Sequence, residues 1–203
     1  MKRKRRIIAY VATSADGYIA RPDGDVAWLD RPRPKGNYGM GEFLKTIDTI
    51  LWGRKTYGLG IEKGMSVAGF GKGVKNYVFS RQSRPSVESG VEFVSEPIKT
   101  FAQRTRSQPG KDIWMMGGAG VIASFLDEGA IDEFIIHVVP IFIGEGIPLI
   151  EARRRSVRLK LLSSRNYPDG VVRLHYAVQQ VSQAAAKRAD NQQLGSPHPS
   201  SGQ

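Results

Sequence analysis

Apolar residues along this chain fall into short dense runs separated by glycine, proline and polar clusters, and the run lengths predict alternating strands and helices. Ile7–Ala12 is an apolar run of strand formers and predicts a buried first strand. Asp16-Gly17 and Pro22-Asp23-Gly24-Asp25 mark turns, and Arg31–Gly41, with two prolines and three glycines, predicts a loop. Glu42–Ile47 predicts a short helix, Asp48–Trp52 a second buried strand, and the glycine-rich Gly58–Gly73 a surface loop with about one helical turn. Lys75–Ser80 alternates as a third strand, and Val91–Val94 is a short fourth. Pro97–Ser107 suits a helix, with Ile98, Phe101 and Ala102 on one face. Ile113–Met116 predicts a fifth buried strand that stops at Gly117-Gly118 and hands over directly to an amphipathic helix. Ile131–Val139 is a long β-rich run stopped by Pro140, and Ile141–Leu149 is apolar but bent by glycine and proline. Val157–Asn166 and Val171–Val178, joined by Tyr167-Pro168-Asp169-Gly170, predict a hairpin. The order β-α-β-β-β-α-β-α-β with a terminal hairpin predicts an α/β sheet with helices on both faces.

Composition sharpens the domain plan. A chain of 203 residues with 40% hydrophobic and 24% charged residues suits one domain with a substantial core. The basic stretch 1–6 reads as an N-terminal extension and 7–180 as the domain. Residues 181–203 read as a disordered tail, because Gln, Ala, Ser and Pro from Ser182 onward leave almost nothing to bury. Cysteine is absent, which excludes disulfides, thiolate metal sites and a cysteine nucleophile. His137, His175 and His198 are far apart and show no ligand spacing, so no metal is expected.

The net charge of +11 raises nucleic acid as a partner. However, Lys2–Arg6 and Arg153–Arg155 together hold eight of the 30 basic residues, and no nucleic-acid module accompanies them. Solubility, or attraction of a phosphorylated small molecule, accounts for the charge better, and nucleic acid is not the expected partner. MKRKRR followed by IIAYVA imitates a signal peptide, but the apolar run of six is shorter than the ~7–15 residues required. No run approaches the ~20 apolar residues of a membrane span, so a cytoplasmic protein is expected.

The candidate chemistry sits where buried strands end. A strand that stops in glycines before a helix N-terminus makes an anion site: free N–H groups point outward, the helix dipole adds positive charge, and missing Cβ atoms let a pyrophosphate approach. Gly117–Ile122 is one such junction, Gly53-Arg54-Lys55-Thr56 is a second place where a buried strand gives way to glycine and then to basic residues, and Ser80-Arg81 ends a third strand with a hydroxyl and a cation. Were these strands parallel neighbours, the three tips would converge on one sheet edge. That combination suits a dinucleotide bearing an extra phosphate, which Arg grips bidentately. Gly118-x-Gly120-x-x-Ala123 also matches the Rossmann fingerprint, but on a late strand, and the next strand ends at Val139-Pro140 without a carboxylate for a ribose.

These junctions, with Ser14-Ala15-Asp16-Gly17-Tyr18-Ile19-Ala20, Pro22–Trp28, Gly53–Tyr57, Gly117–Gly120 and Pro140-x-x-x-Gly144-Glu145-Gly146-x-Pro148-Leu149, resemble the dihydrofolate-reductase-like superfamily. The match is nearest to the reductase domain of the bifunctional riboflavin-biosynthesis deaminase–reductase and its free-standing relatives, over residues 7 to about 178. The resemblance implies a three-layer fold, with a mostly parallel sheet between helices and an antiparallel C-terminal hairpin. It also implies an NADPH-dependent reductase. Gly53, Arg54, Lys55 and Thr56 would hold the pyrophosphate and adenosine side, and Ser80 and Arg81 the 2′-phosphate. Gly117, Gly118, Ala119, Gly120, Val121 and Ile122 would wrap the pyrophosphate, with a cis peptide frequent between the two glycines. Ala12 and Ile19 would face the nicotinamide.

For the substrate, Asp16 is a candidate for a polar or catalytic contact, against its reading as a turn residue before glycine. Trp28 either walls the pocket or belongs to the core, and Glu145 is a second candidate catalytic carboxylate set between two turn glycines. Folate reductases carry a carboxylate shortly after the tryptophan, where this chain has Leu29-Asp30-Arg31-Pro32-Arg33-Pro34, which argues against folate. The expectation is a homodimeric NADPH-dependent reductase acting on a small heterocyclic or sugar-phosphate substrate. Dihydrofolate reductase and a non-catalytic nucleotide-binding module are the alternatives.

Overall fold

The computed structural model describes residues 3–82 and 89–179, so the reading of the tail lies outside the described residues. The strands are β1 (Ile7–Ser14), β2 (Tyr18–Ala20), β3 (Ile47–Gly53), β4 (Lys75–Phe79), β5 (Val91–Val94), β6 (Asp112–Gly117), β7 (Glu133–Val139), β8 (Ile147–Pro148), β9 (Leu159–Asn166) and β10 (Val172–Val178). The helices are α1 (Met40–Thr46), α2 (Arg54–Glu62), α3 (Ile98–Ser107) and α4 (Ala119–Asp127). The main sheet has the order β5-β4-β3-β6-β1-β7-β10-β9. It is parallel from β5 through β7, and β10 and β9 close it as an antiparallel hairpin.

The apolar runs are continuous because both faces of the sheet are covered. Along β1, Ile7, Ala9 and Val11 join a core with Phe101 and Ala102 of α3 and Ile122, Phe125 and Leu126 of α4. Ile8 and Tyr10 point the other way, into a core with Phe43 of α1 and Tyr57 of α2. Helices therefore lie on both faces, as the dihydrofolate-reductase-like arrangement requires. A third small cluster of Val139, Tyr167 and Val171 closes the end of the sheet beside the hairpin.

Three elements differ from the sequence reading. The stretch Gly58–Gly73 is not all surface loop: α2 begins at Arg54 and runs into it as far as Glu62, because Tyr57 and Ile61 pack on the sheet and outweigh the helix-weakening glycines at 58 and 60. Ile147–Pro148 pairs with Tyr18–Ala20 in a separate two-stranded sheet, which brings the two apolar turns together. The basic stretch is not a mere extension. Arg5 is 5% exposed and hydrogen-bonds the Thr49 hydroxyl, the Lys111 carbonyl and Asp48, while Arg6 pairs with Asp112 and Glu133. No helix among the described residues is long and apolar enough to cross a membrane.

Candidate active site

Strands β4, β3 and β6 are parallel neighbours, so their carboxyl ends share one rim. Gly53 pairs with Phe79, the residue before Ser80, and Trp52 pairs with Gly117. The tips approach so closely that a Cβ on Gly53 would lie 3.2 Å from the Gly118 nitrogen and 3.4 Å from the Gly117 carbonyl oxygen. The Gly117–Gly118 peptide is cis. A Cβ on Gly118 would come 2.7 Å from the Thr56 hydroxyl oxygen, so the two junctions sit in close mutual contact.

Helices α2 and α4 start at this rim with Gly53 and Gly118 at their N-caps, and no side chain closes the first turn of either. Their first N–H groups are left for a ligand. Arg54, Lys55 and Arg81 are exposed there and form no ion pair among the described residues. A glycine cradle, two uncapped helix starts and three uncommitted cations together fit a pyrophosphate with an additional phosphate.

Beyond the rim lies an open cleft of about 2060 Å³. Ala12, Ile19, Gly53, Arg54, Lys55, Thr56, Ser80, Arg81, Gly118, Ala119, Gly120 and Val121 all line it. Gly117 contributes its cis peptide rather than a lining surface, and the Ile122 side chain is fully buried in the core between α4 and the sheet. Ile122 meets the junction through its backbone N–H, which bonds the Gly118 carbonyl at 3.1 Å, and through its side chain, which packs beneath Gly117.

The three substrate-side candidates lie elsewhere. Asp16 is exposed outside the cleft, where its carboxylate accepts the backbone N–H groups of Ile143 (3.1 Å) and Gly144 (2.8 Å). Hydrogen bonding from Ser14 and from these N–H groups holds the Asp16 carboxyl below its ordinary range, so it clamps a loop. Glu145 is exposed on that same loop and does not line the cleft. Trp28 packs against the small cluster of Val139, Tyr167 and Val171, which is its core reading.

The other end of the cleft is aromatic. Tyr10 of β1, His137 of β7 and Tyr38 line it together. The Tyr10 and His137 rings stand 4.8 Å apart, and the Tyr10 hydroxyl lies 3.5 Å from His137 Nε2. Burial pushes the Tyr10 phenol up to about 12. Burial, reinforced by the charge of Arg173, pushes His137 down to about 4. Both are therefore neutral at pH 7. None of the lining residues contributed by β1, β7 or the segment 26–44 is acidic.

The family model for the RibD C-terminal domain matches residues 5–173. The chain belongs to the RibD C-terminal domain family. Its relatives include the uncharacterized protein YwjB of Bacillus subtilis strain 168, 35% identical over 85% of this chain and 98% of that one. Among solved structures, a protein from Shewanella sp. PV-4 assigned to riboflavin biosynthesis superposes with a TM-score of 0.77 at 23% identity, over 86% of this chain and 99% of that one. The Thermotoga maritima diaminohydroxyphosphoribosylaminopyrimidine deaminase/5-amino-6-(5-phosphoribosylamino)uracil reductase gives 0.65 at 15% identity, over 87% of this chain and 57% of that one. Dihydrofolate reductase from Enterococcus faecalis, complexed with NADP(H) and RAB-propyl, gives 0.62 at 16% identity, over 86% and 97%. The chain thus has the dihydrofolate-reductase-like fold.

Sequence reasoning missed the aromatic wall of this RibD C-terminal domain. One signal was available: His137 is the lone titratable side chain inside the apolar run Phe134–Val139, a local inconsistency of the kind that marks sites. Arg153 was also missed. It lines the cleft and hydrogen-bonds Ser124, and it pairs with Asp127 and Glu151, so this arginine is built into the site wall.

Proposed function

We propose that this RibD C-terminal domain is an NADPH-dependent reductase acting on a small phosphorylated heterocycle of the 5-amino-6-(5-phosphoribosylamino)uracil type. The observation that carries this reading is the convergence on one rim of three strand tips, two uncapped helix starts and three cations that form no ion pair among the described residues. Gly53, Thr56 and the Gly118–Val121 turn would hold the pyrophosphate, and Ser80 and Arg81 the extra phosphate. NADPH, when bound, supplies the hydride. Ala12 and Ile19 present an apolar surface that keeps water from the reacting carbon. At the aromatic end Tyr10 and His137, both neutral, are the groups of β1 and β7 that can hold or pass a proton. Arg33 is exposed at the mouth, where it suits an anionic substituent. The acid-free wall of β1, β7 and segment 26–44 counts against folate, whose ring needs a carboxylate partner.

Side-by-side titration with NADPH and NADH tests the cofactor reading. A clear NADPH preference is expected, with affinity falling about tenfold in Arg54→Ala or Arg81→Ala for each lost charge-assisted phosphate contact. Equal affinity for the two nucleotides, or none, would overturn it. Oxidation of NADPH followed at 340 nm with 5-amino-6-(5-phosphoribosylamino)uracil and with dihydrofolate then separates the substrate classes. A homodimer belongs to the same proposal, supported by the exposed edge strand β9, where Leu159, Leu161 and Leu162 are each 43–52% exposed. Light scattering at micromolar concentration checks it.

A further inference from the structure

The hairpin turn Tyr167-Pro168-Asp169-Gly170 reads in the sequence as nothing more than a connection, yet the Tyr167 and Asp169 side chains reach across to Tyr38. The segment 31–39 passes over the aromatic end as a strap and lines it through Arg31, Arg33, Asn37 and Tyr38. Four consecutive residues of this strap, Gly36, Asn37, Tyr38 and Gly39, have φ between 44° and 86°. Asn37 and Tyr38 are the only non-glycine residues with positive φ among the described residues. Such a conformation persists only where surrounding contacts enforce it.

The contacts are specific. The Tyr38 hydroxyl donates to the Asp169 carboxylate. The Tyr38 carbonyl accepts the Tyr167 hydroxyl at 2.9 Å and the Tyr10 hydroxyl at 3.4 Å. Arg31 donates to the Asp169 carbonyl at 2.7 Å and lies 3.6 Å from its carboxylate. The Tyr38 ring stands edge-on to Tyr167 at 5.0 Å and 5.8 Å from His137. With the hydroxyls of Tyr38, Tyr167 and Tyr10 and the Tyr38 carbonyl all engaged, this wall offers ring surface to a ligand, and Arg33 is the exposed cation beside it.

We infer that Asp169 is a positioning residue for the substrate end of the cleft. Through the Tyr38 hydroxyl and Arg31 it latches the 31–39 strap in its left-handed conformation, and so sets the width of the slot that a planar, anion-bearing ring enters. The inference rests on the reductase reading of the cleft for its ligand, but the latch itself can be tested without any ligand.

The test compares wild type with Asp169→Ala, Asp169→Asn and Tyr38→Phe. The latch is read by amide hydrogen exchange over residues 31–39 and by trypsin cleavage after Lys35, since Arg31 and Arg33 each precede proline and resist the protease. Asp169→Ala and Tyr38→Phe are expected to raise strap exchange and Lys35 cleavage about tenfold, the loss of one hydrogen bond to a charged group. Asp169→Asn, which keeps an acceptor for the Tyr38 hydroxyl, is expected to restore most of the protection. In the NADP⁺-loaded protein, Asp169→Ala is expected to weaken 5-amino-6-(5-phosphoribosylamino)uracil binding about tenfold by the same loss, with the NADPH dissociation constant unchanged. Wild-type protection in Asp169→Ala would overturn the inference, as would an equal loss of NADPH affinity, which would signal collapse of the whole cleft. A wild-type protein that does not bind the uracil nucleotide would instead remove the substrate reading, and strap exchange alone would then decide on the latch.

Discussion

Gly53 and Gly118 face each other at the rim, and the two respond differently to a methyl group. A Cβ on Gly53 would meet two backbone atoms of the neighbouring junction and the Val121 side chain at 3.3 Å, none of which can swing away. Gly53→Ala is expected to force the β3 and β6 tips apart and lower stability by about 1–3 kcal/mol, measured by urea unfolding. At Gly118 the obstacle is the Thr56 hydroxyl, which can rotate. Gly118→Ala is therefore expected to leave the unfolding midpoint nearly unchanged while weakening NADPH in a calorimetric titration. These glycines were legible in the sequence because glycine weakens a strand, so a pair of them directly after an apolar run marks a tight turn or a close backbone approach. Asp16 was not legible as a loop clamp, because its partners, the N–H groups of Ile143 and Gly144, arrive from a distant turn that only the fold brings near.

At the level of elements, the parallel strands could be read because each is a closed apolar run, whereas their order in the sheet came only from the structure, which sets the three glycine- and cation-bearing tips side by side. Helix α2 could not be read. Its glycines at 58 and 60 lower the local helix propensity, and the contacts that offset this, Tyr57 and Ile61 against the sheet, are tertiary. Gly60 has a role there, since it leaves room for Met65 to fold back over the helix end. Gly58 lines the cleft but has no such packing role, since a Cβ there would meet nothing within 4 Å. Gly58→Ala is accordingly expected to stabilise the protein by about 0.5–1 kcal/mol, seen as a raised urea midpoint. The β2–β8 pair escaped the sequence for a different reason. Two or three residues carry no periodicity, and the pairing depends on the turns that flank them.

The whole molecule carries its charge in two unlike ways, and acid separates them. Near the amino ends of the strands, Asp112 is fully buried beneath Arg6 and Arg3. Burial alone would push its carboxyl up, but the hydrogen bonds and charges of the two arginines outweigh it and hold the group below its ordinary value of 3.8. Its contribution to stability is complete above that value and is lost only as pH falls below it. At the other end of the sheet His137 is buried neutral, held down to about 4 against an ordinary 6.5. The unfolded chain binds this proton first, so stability is complete above pH 6.5 and drains as pH falls from 6.5 towards 4. The displacement corresponds to about 3 kcal/mol. Unfolding free energy measured by urea titration from pH 7.5 to 3 is therefore expected to fall in two stages, a histidine stage above pH 4 and a carboxylate stage below it. His137→Gln should erase the upper stage and leave the lower, whereas Arg6→Ala, which strips a buried carboxylate of its main partner, should lower the whole curve by about 3 kcal/mol near neutrality. A wild-type curve flat between pH 6.5 and 4.5 would mean that His137 reaches solvent, and with it that the aromatic end of the cleft is not the dry wall that the fold builds there.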